Sequence, residues 1–173
     1  MRHPFKFIIT SIILCLSFLS NAQEISDKET SGTFYFIRHA EKERSNPKDR
    51  NPHLTKNGQT RAENWAHFFK DIPLKAIYSS NYHRTIETAT PTAAQKGLEV
   101  LTYDPSNLDP SPFLEKFPKD QVLIVGHSNT TPAFVNAFLN EVKYKDLDDA
   151  DNGSIFVLQI TNGVKLVNQY HID

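Results

Sequence analysis

The sequence predicts an α/β domain of three layers, in which a mostly parallel central sheet carries helices on both faces and closes with antiparallel strands. Short runs of aromatic and β-branched residues alternate with segments of helical periodicity, which favours this class. The first run, residues 33–37, is apolar almost without interruption, as is typical of a strand covered on both faces. The last two runs, 155–160 and 164–170, flank a Thr-Asn-Gly turn and predict a closing hairpin.

Residues 1–22 have the pattern of an export signal. Two basic residues, Arg2 and Lys6, precede a mostly apolar core from Phe7 to Leu19. Small residues, Ser20-Asn21-Ala22, follow the core and supply a cleavage site. The core is shorter than the roughly 20 residues of a membrane-spanning helix, so cleavage is preferred over an uncleaved signal anchor. We therefore expect a periplasmic or secreted protein that meets the membrane only through its export signal.

The remaining chain has the length of a single domain with a substantial core. Residues 23–32 are polar and without apolar periodicity, which predicts a flexible leader before a domain over 33–173. The single cysteine, Cys15, falls in the signal, so the domain is expected to have neither disulfide nor thiol chemistry. The formal net charge of the full chain is −1, which argues against general nucleic-acid binding.

The first strand is followed by two predicted helices. Apolar residues at helical spacing predict one helix over 56–70, with Thr55 as its N-cap. The same spacing predicts another over 85–96, which Gly97 ends. Pro91 lies inside the second helix and is able to distort it.

The other elements continue this alternation. The last helix is predicted to start near Pro132, because proline suits the first helical turn. The remaining predicted strands are 76–79, 98–101 and 121–125, and the remaining helices are 113–117 and 132–139.

Four polar groups follow the predicted strands. Arg38 and His39 come directly after the first strand, Arg84 follows the second, and His127 comes just after 121–125. Ligands of α/β folds bind at the carboxyl ends of the strands, so these groups are expected to converge on one pocket. Two arginines and two histidines together suggest phosphate chemistry.

Four motifs occur in order along the chain, and they are Arg38-His39-Ala40-Glu41, Leu54-Thr55-Lys56-Asn57-Gly58, Ser79-Ser80 with Arg84-Thr85 and Thr88-Ala89, and Gly126-His127-Ser128. Their order resembles the histidine phosphatase superfamily, the phosphoglycerate-mutase-like group, and the compact length resembles its small phosphohistidine-phosphatase-like members. The resemblance implies a metal-independent phosphatase without a cofactor, acting on a small phosphorylated substrate that is a phosphomonoester or a phosphoramidate.

The same resemblance implies roles for the four polar groups. His39 would be the nucleophile that forms a phosphohistidine, with its other ring nitrogen donating to a backbone carbonyl. Arg38 and Arg84 would clamp the phosphate through paired hydrogen bonds. His127 would complete the phosphate pocket by donating to an equatorial oxygen.

The general acid is left open among three carboxylates. Asp104 and Asp109, in a proline-rich loop, rank close together, and Glu41 on the rim comes next. Ser128 stands where phytase-like relatives have an acidic residue, which disfavours a phytase.

Two alternatives remain, a phosphoglycerate-mutase-type phosphotransferase and a non-catalytic phosphate-binding module. The other histidines of the domain are expected to be solvated, capping or partly buried, and no histidine pair has a convincing metal-ligand spacing in the sequence. These histidines are His53, His67, His83 and His171.

Overall fold

The computed structural model describes residues 31–172, so the predicted export signal and most of the predicted leader lie outside the described residues. Strands and helices alternate in the predicted order. The strands are β1 (Thr33–Arg38), β2 (Leu74–Ser80), β3 (Val100–Tyr103), β4 (Gln121–Gly126), β5 (Ser154–Thr161) and β6 (Val164–His171), and the helices are α1 (Lys56–Phe68), α2 (His83–Lys96), α3 (Ser111–Lys116) and α4 (Thr130–Leu139).

All these strands form one six-stranded sheet in the order β3-β2-β4-β1-β5-β6. The first four strands along the chain run parallel to one another. β5 runs antiparallel to β1, and β6 antiparallel to β5. The predicted α/β class, with a mostly parallel sheet and antiparallel closing strands, is confirmed.

The helices cover both faces of the sheet. On one face, Phe36 of β1 packs edge-on against Phe138 of α4, with ring centroids 5.4 Å apart. On the other face, Ile37 shares a buried cluster with Trp65 of α1 and Ala89 of α2. Successive β1 side chains thus point to opposite faces and are buried on both, which explains the nearly unbroken apolar run.

The second helix starts two residues before its predicted start and ends at Lys96, as predicted. α2 begins at His83, which places Arg84 in its first turn. Gly97 ends the helix in a left-handed conformation with φ 63°, and the N–H of Leu98 donates to the Ala93 carbonyl. Because Gly97 and Leu98 form this cap, β3 begins to pair with β2 only at Val100. Pro91 does not interrupt the helix.

The closing hairpin has a two-residue turn. Asn162 and Gly163 have φ of 51° and 78°, and the flanking Thr161 and Val164 pair across the strands. Two successive positive φ angles match the right-handed twist of a hairpin, and Asn-Gly adopts them readily.

The sheet brings the two histidine motifs together. β1 and β4 are adjacent, with Arg38 paired to Gly126, and the N–H of His39 donates to the Gly126 carbonyl at 2.9 Å. His39 and His127 therefore leave neighbouring strand ends at the same edge of the sheet. Within residues 31–172 no helix has the length and apolar character needed to span a bilayer.

Candidate active site

A cavity of about 430 Å³ lies at the carboxyl ends of β1 and β4. The structure brings all four predicted groups, Arg38, His39, Arg84 and His127, into its lining. The imidazole rings of the two histidines have centroids 5.6 Å apart. The convergence expected from the strand ends is therefore present.

The His39 side chain is buried, with 2% of its surface exposed, and is held in one orientation. Its Nδ1 lies 2.7 Å from the carbonyl oxygen of Ala40. A carbonyl only accepts, so Nδ1 carries the proton and Nε2 keeps its lone pair. Burial, with added repulsion from Arg38, lowers the His39 pKa to about 3, so the ring is neutral at physiological pH.

The Arg38 guanidinium is anchored by the loop that precedes β5. Its Nη1 donates to the carbonyl oxygens of Asp148, Asp149 and Asp151 at 2.8, 3.1 and 2.9 Å. Its Nη2 donates to Asp149 Oδ1 at 2.9 Å. Its Nε is buried and has no hydrogen-bond partner among the described residues. One edge of the guanidinium is thus used to fix its orientation.

Asp149 also lines the cavity, and its other carboxylate oxygen pairs with Arg44 at 2.8 Å. The hydrogen bond from Arg44, with a further one from Arg38, lowers the Asp149 pKa to about 2. Its side chain is 68% exposed. This carboxylate is therefore ionised and lies at the mouth of the cavity, where it is bound to Arg38, the arginine predicted to bind phosphate.

The Arg84 guanidinium stacks on Tyr82, with its central carbon 4.5 Å from the ring centroid. Its Nε and Nη1 are buried without a hydrogen-bond partner in the described chain. Buried donors of this kind are costly unless a ligand satisfies them. Together with the Arg38 Nε, they form a set of unused donors suited to an anion with several oxygens.

The tautomer of His127 is fixed by a chain of hydroxyl groups. The Thr85 hydroxyl donates to the Ser80 carbonyl at 2.8 Å, and the Ser80 hydroxyl donates to Thr85 Oγ1 at 3.0 Å. Ser80 Oγ therefore accepts from His127 Nε2–H, 2.8 Å away. His127 Nδ1 keeps a lone pair, which faces Arg84 Nη2 at 3.4 Å.

Burial and the nearby Arg84 charge lower the His127 pKa to about 4, so this ring is also neutral. In this state its Nδ1 is an acceptor. Donation from Nδ1 to a phosphate oxygen, as the family resemblance implies, requires a second proton on the ring. An arriving phosphate dianion favours that protonation electrostatically.

A threonine links the nucleophile's loop to α2. The Ala40 N–H donates to Thr88 Oγ1 at 2.9 Å, and the Thr88 hydroxyl donates to the Arg84 carbonyl at 2.6 Å. The Asn152 amide donates to the His39 carbonyl at 2.8 Å. The backbone on both sides of the His39 ring is therefore fixed by buried side chains.

The charge of the cavity is predominantly positive. Lys42 lines it with Arg38 and Arg84, and burial with the Arg84 charge lowers the Lys42 pKa. Asp149 is the one carboxylate among the described residues that line the cavity. Two neutral histidines and this excess of cations favour a polyanionic ligand.

The three proposed general acids do not line this cavity. Asp104 and Asp109 are fully exposed and accept hydrogen bonds from the N–H groups of Ser106 and Ser111, which lowers the pKa of both carboxyls. Glu41 faces α1, where its Oε1 accepts from Arg61 Nε at 2.8 Å. The geometry therefore does not support an acid role for any of the three.

Asp149 and Lys42 are the two charged residues of the cavity that the sequence analysis did not assign to the site. Lys42 follows the nucleophile by three positions and belongs to a run of charged residues, which is typical of a solvated loop. Asp149 lies in a loop without periodicity or a motif. Only the fold shows that this loop covers Arg38.

The fold and the cavity together define an α/β protein with an anion site built from two arginines and two histidines. Residues 34–105 match the family model of the histidine phosphatase superfamily (branch 1). This range contains Arg38, His39 and Arg84. The match supports the resemblance seen in the motifs over this part of the chain.

Several solved structures share this fold. A mutant phosphoserine phosphatase from Entamoeba histolytica, in complex with phosphoserine, has a TM-score of 0.64 and 17% identity over 79% of this chain and 95% of its own. The protein histidine phosphatase SixA, complexed with tungstate, has a TM-score of 0.61 and 16% identity over 80% and 96%. A mycobacterial glucosyl-3-phosphoglycerate phosphatase has a TM-score of 0.57 and 15% identity over 80% and 97%. No curated protein matches the sequence significantly.

Proposed function

We propose that this protein is an exported, metal-independent phosphatase that hydrolyses small phosphomonoesters through a phosphohistidine on His39. The observation that carries the proposal is the neutral His39 ring, whose Nδ1 proton is held by the Ala40 carbonyl while Nε2 is available beside two arginines. The pattern of residues 1–22 supports export. The match of residues 34–105 to the histidine phosphatase family model supports hydrolase activity in general.

The reaction has two displacements. The unused guanidinium donors of Arg38 and Arg84 hold the phosphate by donating hydrogen bonds to its equatorial oxygens. The Nε2 lone pair of His39 attacks phosphorus, the bond to the leaving oxygen breaks, and that oxygen takes up a proton from solvent. Water then attacks the phosphohistidine and gives a proton back to solvent, the P–N bond breaks, and inorganic phosphate leaves with Nε2 restored.

A second candidate activity is hydrolysis of phosphoramidates. It is favoured by the placement of Asp104, Asp109 and Glu41 outside the cavity, and by Asp149 being ionised there. An alkoxide leaving group needs a proton from an acid, whereas a phosphoramidate nitrogen is protonated before the bond breaks. SixA, one of the proteins with this fold, is a protein histidine phosphatase.

A trapping experiment tests the nucleophile. Protein stripped of metal is mixed with an aryl phosphate, quenched in alkali, and mapped by mass spectrometry. We expect acid-labile, base-stable phosphate on His39, and loss of both label and turnover in His39→Ala. His67→Ala is the matched control, since it removes an exposed histidine of α1 and should leave both unchanged.

The same assay separates the alternatives through the leaving group. Aryl phosphates and phosphoramidates should turn over far faster than alkyl phosphates, because neither needs an enzymic acid. Full turnover by His39→Ala would refute the nucleophile. Phosphate binding without turnover would indicate a binding module, and transfer to an added phosphoglycerate in preference to water would indicate a mutase.

A further inference from the structure

Three potential metal ligands lie together outside the active-site cavity. They are His53, His83 and Glu87, the one such group found within residues 31–172, and their ligand atoms all lie within 4.8 Å of one another. None of the three lines the cavity that contains His39. Their arrangement therefore needs an explanation that the proposed phosphatase chemistry does not supply.

The fold gathers these ligands from two segments. His83 and Glu87 are four residues apart in α2, which places them on one face of the helix. His53 comes from the loop before α1, and its ring stacks on that of His83 with centroids 4.1 Å apart. The Asn51 side chain accepts from the His83 N–H at 2.9 Å and joins the same loop to the helix start.

Glu87 connects the two segments through both of its oxygens. Its Oε2 accepts from the Leu54 N–H at 2.8 Å, while its Oε1 contacts His53 Nδ1. The first bond holds the carboxylate beside the loop independently of the histidines. The second places a carboxylate oxygen directly beside an imidazole nitrogen.

We propose that His53, His83 and Glu87 bind a divalent transition-metal ion of the zinc class, which replaces the direct contact between His53 Nδ1 and Glu87 Oε1. Two imidazole nitrogens and one carboxylate oxygen suit Zn²⁺, Co²⁺, Ni²⁺ or Cu²⁺, whereas Mg²⁺ and Ca²⁺ prefer oxygen ligands alone. Zinc ligands lie about 2.0–2.2 Å from the metal, so the donor atoms, now within 4.8 Å of one another, must come closer through rotation of their side chains. Both histidines are exposed, which leaves room for this rotation.

The ion would tie the loop of residues 41–53 to the first turn of α2. Its site lies beside Arg84 in sequence but shares no ligand with the phosphate pocket. The expected consequence is a more stable loop and helix start, with the hydrolytic chemistry still independent of metal. The proposal therefore stands or falls separately from the role of His39.

The test is a titration of the full chain, first stripped of metal, with Co²⁺ followed by visible absorption and with Zn²⁺ in competition against a chromophoric chelator. We expect one Co²⁺ per chain with visible d–d bands, displaced by Zn²⁺. His53→Ala and His83→Ala should each weaken binding by at least ~10-fold, since losing even an outer-shell partner costs that much. Glu87→Gln, which retains an acceptor for the Leu54 N–H, should weaken it similarly.

His67→Ala is the control for loss of an exposed histidine and should bind as the unmodified protein does. Thermal unfolding provides a second readout, because Zn²⁺ should raise the melting temperature of the unmodified chain but not of the His53→Ala/His83→Ala double variant. Equal Co²⁺ affinity in the double variant would overturn the proposal. Absence of binding to the unmodified chain would overturn it too, and would leave a hydrogen-bonded stack only.

Discussion

The loop that precedes β5 both orients Arg38 and places a negative charge beside it. Three backbone carbonyls hold the Nη1 of Arg38, so most of the hydrogen bonds that orient the guanidinium come from the backbone. The Asp149 carboxylate is additional and places a negative charge where a phosphate oxygen would be attracted. We therefore expect Asp149 to compete with the substrate for Arg38.

Replacing Asp149 with asparagine should improve substrate binding. Asp149→Asn keeps an oxygen that accepts from Arg38 Nη2 while removing the charge. Two exposed charges about 4 Å apart interact by ~1 kcal/mol in water, which corresponds to a KM for an aryl phosphate lowered roughly fivefold. Steady-state kinetics at low ionic strength measures this, and kcat should change little.

Asp146→Asn removes a charge from the same exposed loop and serves as the control, because Asp146 does not line the cavity. Its KM should follow the unmodified protein. The gain from Asp149→Asn should also shrink as salt is added, since exposed charges are screened. A raised KM in Asp149→Asn would show that the carboxylate orients Arg38 instead.

At the scale of elements, α1 is joined closely to the nucleophile's loop. Thr55 caps the helix by accepting from the Gly58 N–H at 3.0 Å, and its own N–H and hydroxyl donate to the Glu41 carbonyl. A Cβ at Gly58 would overlap that carbonyl oxygen, which is backbone and has little freedom to move. The glycine is therefore required by this close approach.

Gly58→Ala should be destabilising despite the better helix propensity of alanine. Propensity favours alanine by ~1 kcal/mol, but overpacking against backbone costs ~1–3 kcal/mol and displaces the segment two residues after His39. We expect a lower urea midpoint and a reduced kcat. Asn57→Ala, an exposed change in the same turn, should leave kcat unchanged. Unaltered stability and kcat in Gly58→Ala would refute the close approach.

The elements were largely predictable because their signals are local. The strand of residues 33–37, the Thr55 cap and the Asn-Gly turn each depend on neighbouring residues, and all three are present. The convergence of His39 and His127 followed from the rule for strand ends. The placement of Asp149 and the cluster of His53 with His83 depend on irregular loops, whose course follows from tertiary contacts that periodicity does not encode.

At the scale of the whole molecule, the two buried histidines of the site make the free energy of unfolding depend on pH. His39 and His127 are kept neutral by burial, with pKa values lowered to about 3 and about 4. In the unfolded chain a histidine takes up a proton near pH 6.5. Below that pH the unfolded state binds more protons than the folded state, so acid favours unfolding. The stability that these histidines contribute is complete above pH 6.5 and is lost progressively as the pH falls toward their folded pKa values.

This linkage predicts a measurable slope. Between about pH 6 and about pH 5, the free energy of unfolding should fall by ~1.2 kcal/mol on account of His39 alone, with His127 adding in the same direction. Urea unfolding of the unmodified protein and of His39→Gln at the two pH values measures it. The variant should lose the His39 share of the slope whatever its absolute stability, because glutamine does not titrate. A variant with the slope of the unmodified protein would mean that His39 is already charged when folded, and a charged imidazole has no lone pair with which to attack phosphorus.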